Sequence, residues 1–299
     1  MQKQDWAGVF PAVTTPFKED LSIDFEAWER KLDWFVASGC RGIVALGSLG
    51  EAPTLTKDEK VELLRRAKHA LKGRAPLVAG ISALSTADAE SLAKAAMDAG
   101  ADGLMVLPPY VYRGDWRETE NHMSAIFKAT PLSSMLYNNP IAYQTDVTPE
   151  QIIVLRDKHP NFHAVKESSG DIRRVTQLRL LAGDTLAIFV GMDDVLVEGV
   201  AAGAIGWIAG LVNAFPEESV RLLDLAKRGA APALDSLYSW FLPLLRLDTV
   251  PKFVQLIKLV EQEMGVGSEH VRPPRLALTG SEREDALALI RHAVKERAA

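Results

Sequence analysis

The sequence predicts a closed (β/α)8 barrel with a C-terminal helical appendage, and three observations predict it. First, short apolar, β-rich runs alternate with amphipathic helical stretches for most of the chain, the pattern of βαβ units with parallel pairing. Second, one joint recurs: Ser38-Gly39-Cys40-Arg41-Gly42, Ala99-Gly100-Ala101-Asp102-Gly103 and Ala202-Gly203-Ala204-Ile205-Gly206 each close a helix and open a strand. The first glycine of each suits a left-handed helix C-cap, and the second allows a close approach at the strand start. Third, the main alternative, an open doubly wound sheet, wants a glycine-rich phosphate turn after its first strand. Thr14-Thr15-Pro16-Phe17 offers none.

In order along the chain, strands are expected at Val9–Thr15, Gly42–Gly47, Leu77–Ile81, Gly103–Leu107, Ser133–Tyr137, His163–Lys166, Ala187–Gly191 and Gly206–Ala209. The helices between them are expected at Phe25–Ala37, Lys57–Leu71, Ala87–Ala99, Trp116–Lys128, Pro149–Lys158, Ile172–Leu181 and Asp194–Ala202. Residues 210–299 are more than one closing helix needs, and Pro216–Lys227, Ala233–Leu247, Val250–Met264 and Ser281–Glu296 read as four helical segments. The first closes the barrel and the other three form the appendage, so the expected division is 1–229 and 230–299, with Pro273 and Pro274 separating the last two helices.

Composition narrows the function. The chain has 299 residues, 47% hydrophobic and 24% charged, which is ordinary globular composition with material for a large core. A net charge of -5 without a basic cluster lacks the footprint of a nucleic-acid binder. The single cysteine, Cys40, excludes an intrachain disulfide and fits a reducing cytoplasm. It sits at a helix-to-strand connection with no histidine partner suggested, so it reads as a structural thiol. The N-terminal stretch Met1–Trp6 has no apolar signal core, and no run of 18 apolar residues predicts a membrane span.

In a barrel of this kind chemistry sits at the C-terminal ends of the strands. The sixth strand ends Phe162-His163-Ala164-Val165-Lys166-Glu167-Ser168-Ser169-Gly170. A lysine ending a buried strand loses proton affinity, because desolvation disfavours its charged form. A free amine near neutrality is the nucleophile of Schiff-base enzymes acting on carbonyl substrates. The fifth strand ends in Tyr137-Asn138-Asn139-Pro140, a phenol placed to carry protons. The second ends in Gly47-Ser48-Leu49-Gly50-Glu51, a turn whose hydroxyl and amides can hold a carboxylate. Together these describe imine chemistry on a 2-oxo acid: the carboxylate docks at Ser48, the keto carbon condenses with Lys166, and the iminium serves as electron sink without a cofactor. Elsewhere, Asp193-Asp194 reads as a helix N-cap rather than a metal pair. Alternation along the strand turns His163 away from the barrel interior toward a helix. Glu167 reads as a solvated partner of the lysine.

These motifs resemble the dihydrodipicolinate synthase / N-acetylneuraminate lyase family over essentially the whole chain, on Gly47-Ser48-Leu49-Gly50-Glu51, Tyr137-Asn138-Asn139-Pro140, Lys166-Glu167 and Gly203-Ala204-Ile205-Gly206. The resemblance implies that Lys166 forms the Schiff base and Tyr137 transfers the proton. It further implies that Ser48 and the Leu49 amide bind the carboxylate, with Gly47 in the same turn, and that Gly191 and Ile208 are wall residues near the lysine. Tyr110 is similar to the aromatic that the family lends across a subunit interface, which implies a homo-oligomer, commonly a tetramer; Tyr112 competes for that place.

Two departures bear on the substrate. The second hydroxyl of the synthase's turn is replaced by Leu49, and Ala142 stands where the synthase carries an arginine for its aldehyde substrate's carboxylate. Alanine cannot replace a bidentate guanidinium clamp. The segments around Tyr137–Tyr143, Lys166–Asp171 and Gly206–Leu211 resemble instead the branch that deaminates Δ1-pyrroline-4-hydroxy-2-carboxylate to 2-oxoglutarate semialdehyde in hydroxyproline breakdown. The expected function is therefore a Schiff-base lyase or deaminase on a 2-oxo acid or cyclic imino acid. The alternatives are dihydrodipicolinate synthase, an aldolase or dehydratase for a 2-keto-3-deoxy sugar acid, a non-catalytic 2-oxo acid binder and a metal-dependent lyase.

Overall fold

A computed structural model describes residues 1–297. Its strands are β1 (Gly8–Pro11), β2 (Ile43–Ala45), β3 (Leu77–Ile81), β4 (Gly103–Val106), β5 (Ser133–Asn138), β6 (Phe162–Glu167), β7 (Ala187–Val190) and β8 (Gly206–Ala209). All neighbours pair in parallel, in the order β1-β8-β7-β6-β5-β4-β3-β2. A bridge from Ala12 to Val44 joins the two edges, where the Val13 amide donates to the Val44 carbonyl at 2.9 Å. The barrel is thereby closed, as the sequence predicts.

Its helices are α1 (Phe25–Ala37), α2 (Lys57–Leu71), α3 (Thr86–Asp98), α4 (Trp116–Ala129), α5 (Pro140–Tyr143), α6 (Pro149–Lys158), α7 (Arg173–Ala182), α8 (Leu196–Ala202), α9 (Pro216–Arg228), α10 (Ala231–Leu245), α11 (Phe253–Glu263) and α12 (Gly280–Lys295). Local signals fix several starts. Asp24 accepts from the Ala27 amide, while Thr56 with Glu59, Asp115 with Glu118 and Thr148 with Gln151 form reciprocal capping boxes. Each such cap stabilises its helix by about 1 kcal/mol. The first glycines of the repeated joint, Gly39, Gly100 and Gly203, have φ of +92°, +95° and +114°, the left-handed turn expected of them. No described helix is long and apolar enough to cross a membrane.

The inward face explains which barrel end carries chemistry. Phe10 and Phe189 meet edge to face at 5.3 Å, and Trp6 stacks on Phe10 at 5.9 Å. This aromatic floor fills the N-terminal end, and the Trp6 indole donates to Ser133 Oγ at 2.7 Å. The second glycines of the joint make room for it: a Cβ on Gly42 or Gly206 would lie 2.3 Å from the Phe10 or Phe189 ring. The opposite end is left open.

Four strand ends stop short of expectation, β4 and β7 by a single residue each. Regular pairing of β1 ends at Pro11, after which buried Thr14 is held through its amide by Asn213 Oδ1 at 3.1 Å. β2 ends at Ala45, because Leu46 turns to φ 62°. The predicted orientation of His163 is corrected too. A register shift between β5 and β6 interrupts the alternation, and the His163 ring lies 2.7 Å from Ser133 Oγ on the neighbouring strand instead of reaching a helix.

The C-terminal helices are braced on the catalytic rim. Lys31 of α1 pairs with Glu261 of α11 at 2.8 Å, and both contact the Thr14 hydroxyl. Lys258 of α11 pairs with Glu51 at 2.6 Å, at the end of the Gly47–Glu51 turn. Arg272 closes the bracket, donating its amide to Glu51 and its guanidinium to Glu59. All four members of the two lysine–glutamate pairs are buried.

Candidate active site

A cavity of about 450 Å³ opens at the C-terminal ends of the strands. Lys166 enters it from β6, in register between Tyr137 on β5 and Phe189 on β7. The side chain is buried, and Nζ lies 4.2 Å from the centroid of the Tyr137 ring. Gly191 is what lets the lysine pass. A Cβ there would sit 1.9 Å from Ser168 Oγ and 2.7 Å from Lys166 Cε.

Burial lowers the Lys166 amine to about 8, against the opposing pull of Asp248 and Asp193. At neutrality a far larger share of the protein then carries a free amine than an ordinary lysine would provide. Imine formation on this protein is accordingly expected to speed up with rising pH and to level off above roughly pH 8. A profile of adduct formation against pH checks this, and a flat profile between roughly pH 6 and 9 would contradict it.

The Tyr137 hydroxyl accepts from Asn139 Nδ2 at 2.9 Å. Burial pushes it up to about 12, while Asn139 and, more weakly, Ser168 and Ser48 favour the phenolate. It therefore remains a hydroxyl at neutral pH, able to give up and regain a proton. Ser48 hydrogen-bonds Tyr143 across the cavity. The Tyr143 ring stands edge-on to Tyr137 at 5.9 Å, and Tyr110 lies 5.8 Å behind Tyr143. The Tyr143 side chain thus links the β2 turn to the ring beside the lysine.

Of the residues singled out in the sequence, Gly47, Ser48, Leu49, Tyr137, Lys166 and Gly191 share the cavity wall. Since β2 and β6 lie on opposite sides of the barrel, the Ser48 turn faces the lysine. Tyr110 touches the site through Tyr143, whereas Tyr112 is 60% exposed. Ile208 lies in register with Phe10 and does not line the cavity.

Two sequence readings are corrected. Glu167 is not solvated: it is 5% exposed and accepts from Asn138 Nδ2 at 3.1 Å and the Ser169 amide at 2.7 Å. Alternation puts it on the outward face of β6, where helices cover it, and burial raises its carboxyl. Asp193 is not a helix cap. Fully buried, it accepts from the Trp207 indole and the Gly210 and Leu211 amides, which ties β7 to the end of β8. Burial lifts it to about 6.

Of the cavity residues not foreseen as site residues, three bear on the chemistry. Tyr143 ends the single helical turn α5, which Asn139 starts by accepting from the Ala142 amide; that reversal, cued only by Asn-Pro, aims the ring back at Ser48. Asp248 and Arg275 come from the C-terminal segments. Asp248 stands against Gly210 so closely that a Cβ there would lie 2.1 Å from its Oδ1.

Comparison with known proteins agrees with this geometry. The sequence profile described as the dihydrodipicolinate synthetase family matches residues 5–293. The chain belongs to that family. A 4-hydroxy-tetrahydrodipicolinate synthase of Nitrosococcus oceani is 31% identical over 294 residues, covering 97% of either chain. Among solved structures, a chloride-inhibited dihydrodipicolinate synthase from Acinetobacter baumannii complexed with pyruvate superposes with a TM-score of 0.91. It is 27% identical and covers 97% of this chain and 99% of its own. YagE, a prophage protein of the same family from E. coli K12 in complex with pyruvate, gives 0.91 at 25% identity, with the same coverage. The protein is thus an enzyme of the lysine Schiff-base lyase type that typifies this family.

Proposed function

We propose that Lys166 forms the covalent imine, that Tyr137 shuttles the protons and that Ser48 with the Leu49 amide receives the substrate carboxylate. No cofactor is required in this scheme, since the iminium itself withdraws electrons from the adjacent carbon. The observation that carries it is the buried amine 4.2 Å from the Tyr137 ring, facing a hydroxyl-bearing turn across a cavity of substrate size. The pyruvate complexes of the two structural relatives support a 2-oxo acid as the species that condenses. The Tyr110 position, half-buried beside Tyr143, fits a homo-oligomer, a tetramer by resemblance, and the single cysteine fits a reducing cytoplasm.

For the substrate we propose Δ1-pyrroline-4-hydroxy-2-carboxylate, opened, dehydrated and deaminated to 2-oxoglutarate semialdehyde. Ala142 supports this reading, because a substrate with one carboxylate needs no second anion clamp. The synthase reading has support of its own: two of the three relatives named above are synthases, and Arg275 brings a guanidinium to the same cavity from another direction. Steady-state assays separate the two. Turnover of the pyrroline with no condensation of pyruvate and aspartate semialdehyde is expected; the opposite pair of results would make the protein a synthase.

A further inference from the structure

The cavity holds one carboxyl that the imine scheme leaves without a task. Asp248 follows α10, in a segment with no place in the barrel repeat, and reaches the site over the end of β8. Part of the residue faces the cavity, yet Oδ1 is sequestered and has no hydrogen-bond partner among the described residues. Its neighbour Gly210 has no side chain to obstruct it. A buried acceptor without a partner is destabilising, so the position is stabilised elsewhere or serves the substrate.

We propose that Asp248 is the proton donor to the leaving group, which makes this site an eliminating one for ring or chain substrates bearing a hydroxyl on carbon 4. The proposal rests on the deaminase reading. With Lys166 Nζ bonded to carbon 2, the bond from carbon 2 to the ring nitrogen breaks and the nitrogen leaves as an amine. A proton on carbon 3 passes through the Tyr137 hydroxyl to that amine, which becomes an ammonium, and the electron pair forms the carbon 2–carbon 3 double bond of the enamine. The pair then moves to form the carbon 3–carbon 4 double bond as the carbon 4–oxygen bond breaks. The oxygen takes the Asp248 proton and departs as water, the iminium is restored, and solvent reprotonates the carboxylate.

The surroundings favour the acid form at the step that needs it. Burial and then Asp193 hold the Asp248 carboxyl well above the ordinary carboxylate range, and Asp194 adds to this, opposed by the Lys166 cation. In the enamine the lysine nitrogen is neutral, so that opposition is gone when the hydroxyl must leave.

The test uses Asp248→Asn with the 4-hydroxy pyrroline and its 4-fluoro counterpart, since fluoride departs without a proton. Turnover of the hydroxy ring is expected to fall about 10²- to 10⁴-fold. The fluoro ring should stay within roughly tenfold of wild type, and borohydride trapping of pyruvate should persist. In Asp248→Ala, added formate should restore turnover of the hydroxy ring. Hydroxy-ring turnover within about threefold of wild type would overturn the assignment, as would equal losses on both rings. Loss of pyruvate trapping in Asp248→Asn would instead make Asp248 a positioning residue for the lysine. Inactivity of the wild type on both rings overturns the deaminase reading and this proposal together, whereas an active wild type beside an unaffected variant overturns this proposal alone.

Discussion

Replacing Lys166 with alanine is expected to reduce turnover by at least about 10⁴-fold, because no other group in the cavity can take over covalent bonding to carbon 2. The described cavity wall contains no second lysine. Lys31 and Lys258, the other buried lysines, are already engaged with Glu261 and Glu51. Added small amines should not restore the wild-type rate, since a free amine lacks the fixed approach that β6 and Gly191 impose. Single-turnover kinetics on the variant check this; a loss of less than about 100-fold would show that the lysine is not the nucleophile.

Replacing Lys258 with methionine is expected to destabilise the fold by about 3–5 kcal/mol, the usual cost of leaving one member of a buried pair uncompensated. Glu51 would keep the Arg272 amide and the more distant Arg275 guanidinium at 3.9 Å but lose its close charge partner, in a residue held at φ 54°. At this chain length the melting temperature should drop by roughly 10 °C. Catalysis should suffer as well, because Glu51 ends the turn that carries Ser48. Calorimetry on K258M and on K258M/E51Q tests the account. The double variant should recover part of the loss, and two additive losses would show that the pair is not coupled.

What the sequence disclosed and what it hid divide along physical lines. Strands and helices were legible because apolar periodicity reports which face is buried, and the paired glycines of each joint reported a left-handed cap and a close approach at the strand start. The lysine, the tyrosine and the Ser48 turn were legible because strand ends of a closed barrel converge whatever lies between them. Asp248 and Arg275 were not, since they come from segments outside the repeat and no periodicity predicts where such segments cross the mouth. Glu167 and Asp193 were misread because both sit next to polar turns, where sequence suggests solvent. The helices packed behind β6 and the folded-back end of β8 exclude it. His163 was misplaced because a register shift carries no sequence signal of its own. Tyr143 was in view, but its direction depends on one helical turn set by Asn139.

The central claim is that this barrel works through an imine on one lysine. Reduction of the wild-type protein with borohydride in the presence of pyruvate, followed by intact mass and peptide mapping, tests it most directly. A single adduct on the peptide containing Lys166 is the expected result. A stable adduct on any other lysine, or none with either pyruvate or the pyrroline, would contradict it.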